Sequence, residues 1–597
     1  MIELLTSQFP VFMFVGLFLL LISGFPVAFG LAAVGLGFGL IGLALGLFTP
    51  ALFQALPLRI FGIMQNDTLL AIPFFTFMGI ILQRSGMAED LLDTIGQLFG
   101  PVRSGLAIAV VLVGALLAAT TGVIAAAVIS MGLISLPIML RYNYNRSIAT
   151  GSILAAGTLV QIIPPSLVLI VLADQMGRSV GDMYSAALKP GLILVLVYLV
   201  FLAALAIIKP SAVPALPPEA RVYKEADGST GYRSLLVLLA AAALAGFGWY
   251  SIHDAVMGPL LGRTDPAPAD ELVVLSVTIA SLFALLAALL NHFTGFKLLS
   301  VIAERVTFAL IPPLVLIFLV LGTIFLGIAT PTEGGAMGAV GALVMAWSKR
   351  RLNFANLGQS LDQTTRLSIF VMFILVGSTI FSFTFNAADG HIWVESLFEH
   401  LPGGQTGFLL LVTLLVFVLG FFLDFFEIAF IVVPLLVPVA NSLGVDLIWF
   451  GIILAMILQT SFLTPPFGFS LFYLRSVAPA QDYVDKVSGK VIEGIKTAQI
   501  YRGALIFVVL QVLMTLAVIF YPAHFLGDYK PPVSSNVEVE LPMAEPLDES
   551  EDPNAERTDE DEGMDAPEKA EGAEGEAEES AEDDPAAALL REMKQQK

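Results

Sequence analysis

No cysteine occurs in the 597 residues, and only five histidines do. Disulfide frameworks and thiolate metal sites are thereby excluded. The histidines do not form a close ligand pair, and none stands in a nucleophile–base pattern with a glutamate, so hydrolytic and metal-dependent catalysis lack their usual groups. Charge is scarce as well: Asp, Glu, Lys and Arg make up 13% of the chain, about half the ~25% of an ordinary soluble domain. A soluble enzyme does not fit. Strict apolar–polar alternation is also missing, which excludes a transmembrane β-barrel.

Instead the chain is 57% hydrophobic with a mean hydropathy of +0.87, in many apolar runs close to or beyond the ~20 residues that cross a bilayer as a helix. This describes an all-α polytopic membrane protein. The first run, 11–24, leads straight into 27–47 and reads as a retained anchor rather than a cleaved signal. Of the net charge of −21, about −18 falls on residues 538–597, so the membrane body is nearly neutral. The segment 522–597 reads as a disordered acidic tail, rich in Glu, Asp, Ala, Gly and Pro.

Apolar elements are expected at 11–24, 27–47, 68–83, 104–119 with 123–140, 148–173, 190–208, 235–252, 271–291, 306–328, 335–347, 367–385, 407–422 with 426–440, 448–474 and 503–521. The polar stretches 209–234 and 253–270 are loops. The chain then divides into a first repeat (1–208), an insertion with two extra spans (209–305), a second repeat (306–521) and the tail. The repeats are weak in identity but ordered alike. Pro164-Pro165 recurs 301 residues later as Pro465-Pro466, and Pro137 recurs at the same offset as Pro438. Each Pro-Pro follows two short apolar segments joined by a polar tip, AATTG at 118–122 and LDFFE at 423–427.

Basic residues orient the spans. With the N-terminus outside, and 104–140 and 407–440 taken as re-entrant hairpins, nearly all Lys and Arg of the body lie on one side. Only Arg59, Arg178, Lys189 and Arg263 fall on the other, apart from the tail. The halves are then inverted, and the tail lies outside.

Proline lacks an N–H and clashes with the preceding turn, so Pro-Pro inside 148–173 and 448–474 should break each helix. Such a break survives in lipid only where it is buried in protein or lines a wet cavity. Inverted repeats with discontinuous helices use freed carbonyls to hold cations and half-helix N-termini to face anions. Two Na⁺ sites are expected. One joins Thr120, Thr121 and Gly122 to Gly157, Thr158 and the carbonyls before Pro164. The other joins Asp424 to Thr460, Thr464 and Gly468. Hydroxyl, carboxylate and carbonyl oxygens are hard ligands, and glycine lets backbone approach. Glu333, Asp424 and Glu427 are acids within or beside apolar runs, where acids mark ion paths; next to Thr-Pro-Thr, Glu333 equally fits a helix cap. Thr120, Thr121 and Glu427 are candidate substrate contacts.

The stretches LLAIPFFTFMGIIL (69–82), GTLVQIIPPSLVLI (157–170), TPTEGGAMGA (330–339), FFLDFFEIAFIVVPLLVPVA and LTPPFGFSLFYLRSVAP resemble the large membrane subunit of the tripartite ATP-independent periplasmic (TRAP) transporters, in the longer branch with extra mid-chain spans. The resemblance covers most of 1–521 except about 209–300. It implies an elevator-type, Na⁺-driven importer of organic anions such as C4-dicarboxylates, sialic acid or 2-oxo acids, in the bacterial inner membrane. It also implies two partners: a small four-helix membrane subunit and a soluble periplasmic substrate-binding protein. The family's Ser-Gly hairpin tip falls on Thr121-Gly122, and its hairpin Asp falls on Ala127. Its Met-Asp-Pro-Thr tip reads Leu423-Asp424-Phe425-Phe426, and its Thr-Pro-Pro is intact at Thr464–Pro466. A stand-alone divalent-anion/Na⁺ symporter and a non-transporting membrane scaffold are the alternatives.

Overall fold

A computed structural model describes residue 6 and residues 8–526, apart from 222, 224–230, 264, 295–297, 399–400 and 486. The side chains of Ile22, Thr120, Thr121, Leu261 and Asp270, and the acidic tail from residue 527 onward, also lie outside the described residues. Among the described residues, ten helices are long and apolar enough to cross a membrane, and strand pairing is limited to Tyr483–Val484 against Val491–Ile492.

The first half runs through α1 (Phe9–Ile22), α2 (Val27–Ala44), α3 (Pro50–Gln54), α4 (Leu56–Met64), α5 (Ala71–Arg84) and α6 (Met87–Phe99). Next comes a helical hairpin, α7 (Gly105–Thr121) and α8 (Ile124–Arg141), turned by Gly122 in the left-handed region (φ 62°). The run expected at 148–173 is divided as foreseen: α9 (Arg146–Thr158), a 3-10 turn over Leu159–Gln161, then α10 (Leu167–Gln175). Helix α11 (Val180–Ile208) closes the half. The insertion contributes α12 (Tyr232–Leu261) and α13 (Ala269–Thr294), which pack on each other and on α14 (Val301–Phe325).

The second half continues with α15 (Pro331–Ser348), α16 (Phe354–Ala387) and α17 (Gly390–Phe398). Its hairpin is α18 (Gly404–Leu419), a tip, α19 (Phe425–Glu427), a π-turn over Ile428–Val432, and α20 (Val433–Ser442). The second broken helix is α21 (Leu447–Leu463) and α22 (Phe469–Val477), closed by α23 (Thr497–Phe520) and the short α24 (Pro522–Phe525). The order hairpin, broken helix, closing span therefore occurs twice.

Segments apolar on every side are buried on every side. In α9 each residue from Ile148 to Thr158 is buried, and in α21 all but Ile448 are. Glycines bring helices into backbone contact around them. A Cβ on Gly151 would stand 2.5 Å from Gly503 O, bringing α9 against α23. A second close seam joins α2 to α16, where a Cβ on Gly35 would stand 2.8 Å from Ile380 O. Glu333 does cap a helix: it forms a reciprocal capping box with Thr330 at the start of α15.

Five elements were not among those expected: α3 with α4, α6, α17, the small β-hairpin, and α24, which is helical where the expected disordered tail 522–597 begins. A search for continuous apolar runs passes over them. Helix α6 shows why, because its sequence MAEDLLDTIGQLF buries Met87, Leu91, Leu92 and Ile95 on one face and carries Glu89, Asp90 and Asp93 among the remaining positions. The Pro-Pro rule also has an exception. Pro312-Pro313 lies inside α14, which continues unbroken to Phe325.

The β-hairpin fastens the ends of α8 and α9. Arg141 grips Asp485 with two hydrogen bonds, Nε to Oδ2 at 2.9 Å and Nη2 to Oδ1 at 3.0 Å, and Arg146 pairs with Glu493 at 2.9 Å. The Arg141 guanidinium, helped by the Ser488 hydroxyl, holds the Asp485 carboxyl well below the usual carboxylate range. A carboxyl lowered on folding stabilises above its unfolded pKa of about 3.9 and loses that contribution as pH falls further. Arg141→Ala is therefore expected to speed protease cleavage within 479–496 at neutral pH. In the unaltered chain the same loosening should set in only below about pH 4. Equal cleavage of both proteins at neutral pH would contradict the clamp.

Candidate functional site

At each break the freed backbone finds hydroxyls. Gln161 O accepts the Ser166 hydroxyl at 3.0 Å, and Phe462 O, 301 residues later, accepts that of Ser470 at 2.5 Å. Tyr184 donates to Ser166 O at 3.4 Å. Thr464 N reaches Ser461 O at 3.0 Å, and Gly468 N reaches Thr464 O at 2.9 Å. Both Pro-Pro peptide bonds are cis. Around Pro312-Pro313 the neighbours are Ala, Leu, Ile and Val, which offer no replacement partner, so the chain there keeps to the helix.

Each hairpin tip is seated against its broken helix. In the first half a Cβ on Gly122 would touch Leu167 Cγ at 3.0 Å, and one on Gly157 would overlap Val128 of α8. Gly122 and Gly157 thus lie where the first hairpin meets its broken helix, and Thr158 and Pro164 belong to that broken helix. Thr120 and Thr121 end α7 in the same place, but their side chains are outside the described residues. The Thr158 hydroxyl donates to Ala155 O at 3.1 Å and accepts from Gln511 Nε2 at 3.5 Å, which leaves one lone pair for a further contact.

In the second half a Cβ on Gly420 would overlap Ser461 Oγ, and Phe422 packs on Phe467 with ring centroids 5.8 Å apart. Thr460 stands in the last turn of α21 before this break, and Thr464 and Gly468 lie in the break. Thr460 Oγ1 donates to Met456 O and Thr464 Oγ1 to Thr460 O, both at 2.8 Å, so each again keeps acceptor capacity. Asp424 and Glu427 form a capping box: Asp424 Oδ1 accepts Glu427 N, and Glu427 Oε2 accepts Asp424 N, each at 2.9 Å. The turn they cap packs on α10 and α16. The two acids stiffen the tip where it meets the rest of the molecule.

Two residues at the breaks were not among the expected ligands. Gln161 and Gln459 are fully buried, and the Gln161 amide has no hydrogen-bond partner among the described residues. Close by, Gln511 Nε2 bridges Tyr198 Oη at 2.7 Å and Thr158 Oγ1 at 3.5 Å, tying the closing spans to the first break. An amide inside an apolar run was the available signal.

Two cavities flank the hairpins. One, about 570 Å³, lies where Thr76, Gln83 and Arg84 of α5 face Val123, Ala126 and Ser130 of the first hairpin, with Gln363 of α16 beside them. Gln83 Nε2 donates to Ser130 Oγ at 2.6 Å across it. The other, about 410 Å³, lies between Phe430 and Pro434 of the second hairpin, the C-terminal half of α16, Gln175 and Arg59 of α4. The Ser378 hydroxyl donates to Phe430 O in the π-turn, so the irregular backbone of the hairpin is satisfied from α16.

Known proteins are similar in sequence to this chain over most of its length. The family profile described as "Tripartite ATP-independent periplasmic transporter, DctM component" matches residues 14–524. The C4-dicarboxylate TRAP transporter large permease protein DctM of Pseudomonas aeruginosa is 28% identical over 482 residues, covering 81% of this chain and 90% of that protein. The protein of the same description from Vibrio cholerae is 25% identical, with 77% and 87% covered. The isethionate TRAP transporter permease protein DctMQ of Oleidesulfovibrio alaskensis is 24% identical, with 78% and 60% covered. With twofold hairpin-and-break architecture inside an apolar helical body, and a profile match from residue 14 to residue 524, the chain belongs to the DctM component family of TRAP transporters.

Proposed function

We propose that this chain is the large permease subunit of a Na⁺-coupled, binding-protein-dependent importer of organic acid anions in the bacterial inner membrane. Its partners would be a small four-helix membrane subunit and a periplasmic binding protein. Relatives named for C4-dicarboxylate and isethionate transport support an organic anion as cargo. The observation that carries the reading is the duplication: two breaks, 301 residues apart, each with a hairpin tip seated on it and hydroxyl oxygens around freed backbone.

Na⁺ enters each break, with Thr121, Gly122, Gly157, Thr158 and the carbonyls before Pro164 around the first, and Asp424, Thr460, Thr464 and Gly468 around the second. Ion binding orders the tips and makes anion binding more favourable, and the difference is a coupling free energy. The hairpins with α9, α10, α11, α21 and α22 form the moving unit. Helices α2, α5, α15 and α16, locked pairwise by glycine contacts, form the scaffold, with α12 and α13 extending it. Among the described residues, few polar bonds cross the seam: Gln83 to Ser130 and to Ala126 O, Ser378 to Phe430 O, and Asn66 to Asp174 at 2.7 Å. In the orientation expected from the basic residues, the Gln83 cavity lies toward the inner side and the Arg59 cavity toward the outer side.

The test is uptake of a panel of carboxylates into liposomes holding both membrane subunits, with the binding protein outside and an inward Na⁺ gradient. Thr121→Ala and Asp424→Asn are expected to raise the half-saturating Na⁺ concentration about fivefold or more, the weight of one strong polar contact. Asn at 424 preserves the cap, so a change there reports the charge. Unchanged Na⁺ dependence in both variants would reject these ligands. Equal uptake without the binding protein would favour the stand-alone symporter.

A further inference from the structure

Residues 375, 378, 379, 382, 383, 386 and 387 of α16 line the Arg59 cavity. Their spacing follows one face of a helix. That face carries two hydroxyl residues and an amide residue, Thr379, Ser382 and Asn386, among the cavity's lining, on a helix otherwise rich in Phe, Ile and Val. Ser378, the fourth polar residue of the face, is already committed to Phe430 O. Opposite stands Arg59, the cavity's one lining cation. Its guanidinium lies 5.8 Å from the Phe383 ring centroid, and among the described residues no carboxylate pairs with it. The Gln175 amide donates to Asp174 at 2.9 Å, which places one fixed negative charge just behind the wall.

We propose that Arg59, with Thr379, Ser382 and Asn386, forms an anion subsite selective for monocarboxylates bearing a hydroxyl or oxo group over C4-dicarboxylates. This rests on reading the chain as an anion permease. The charge count carries the selectivity. One guanidinium matches one carboxylate, held by its planar fork of N–H donors. The hydroxyls and amide satisfy a neighbouring hydroxyl or oxo oxygen. A second carboxylate would enter a partly enclosed space with no second cation and with Asp174 nearby, and an unpaired charge there is costly.

The absence of cysteine makes the test direct. Ala387→Cys places one thiol on the cavity wall without touching any proposed donor, and Leu52→Cys places one on the opposite wall. The rate at which a maleimide modifies either thiol in the full-length chain is measured with sodium lactate, disodium succinate or sodium chloride at matched Na⁺. Lactate is expected to slow modification, with succinate needing about tenfold more to match it. Arg59→Gln should raise the half-protecting lactate concentration about tenfold or more, and Arg59→Lys should restore most of the protection. The subsite is overturned by no slowing at either thiol, by protection that persists in Arg59→Gln, or by succinate protecting as well as lactate. The assay needs no gradient and no partner. Protection without uptake would therefore reject the transport reading and leave the subsite standing, whereas uptake without protection would do the reverse.

Discussion

Gly503→Val is expected to abolish the folded permease or to lower its melting temperature sharply. A Cβ there would overlap Ser147 O and stand 2.9 Å from Gly151 N, and a Cβ on Gly151 would in turn stand 2.5 Å from Gly503 O. The obstacles are backbone atoms of α9, which cannot rotate away as a side chain could. Helix α9 is itself buried on all sides from Ile148 to Thr158, so it cannot recede without displacing α7, α8 and α21. Overpacking against side chains costs about 1–3 kcal/mol. With backbone on the opposing face, about 3 kcal/mol or more is expected. Gly37 supplies the contrast: nothing lies within 4 Å of its would-be Cβ, and Gly37→Ala should leave stability equal or slightly raised, since helical Ala is favoured over Gly by up to about 1 kcal/mol. Size-exclusion profiles after graded heating decide the matter. Gly503→Val melting with the parent would refute the close seam.

Seating of the second hairpin tip should have the largest effect on transport. Gly420→Val would drive a side chain into Ser461 Oγ, and its Cβ alone would come within 2.8 Å of Ser461 Cβ. The tip must then lift, separating Phe422 from Phe467 and opening the break beside Thr460 and Thr464. Na⁺-driven uptake is expected to fall by about tenfold or more, since misplacement of an ordered site by about 1 Å is enough to cost that much. Ser461 can be removed at small expense, because its hydroxyl only donates to Leu458 O of its own helix at 2.8 Å. The pair Gly420→Ala with Ser461→Gly should therefore recover most of the uptake lost in Gly420→Ala alone. Their coupling is expected to exceed about 0.5 kcal/mol, the level at which neighbouring substitutions stop being additive. A double variant no better than Gly420→Ala would show that the tip does not depend on this contact.

The breaks were legible because they rest on local chemistry. Pro-Pro with Ser166 one residue on, or with Thr464 before and Ser470 after, announces both the loss of helix and the groups that replace its hydrogen bonds. Pro312-Pro313 carries the same dipeptide in an apolar setting and stays helical, so proline alone was not the whole signal. Less was legible at the second tip. Asp424 reads as a ligand from its place in an apolar run, yet its Oδ1 and backbone N are engaged with Glu427. The local spacing Asp-x-x-Glu would have given that capping box. Arg59 could not be assigned at all from sequence. It sits on α4, which no run of ~20 apolar residues reveals, and the face it confronts belongs to α16, more than 300 residues away.

Composition, run length and the two 301-residue echoes determined that this chain is a helical membrane protein built twice from hairpin and broken helix, because burial in lipid and proline's missing N–H act on a segment through its own residues. The tertiary structure decided which segments meet: α9 against α23 through paired glycines, each tip against its break, and Arg59 opposite the polar face of α16. Those pairings depend on which helix faces can approach closely, and that is a property of two distant segments at once, which neither one encodes alone.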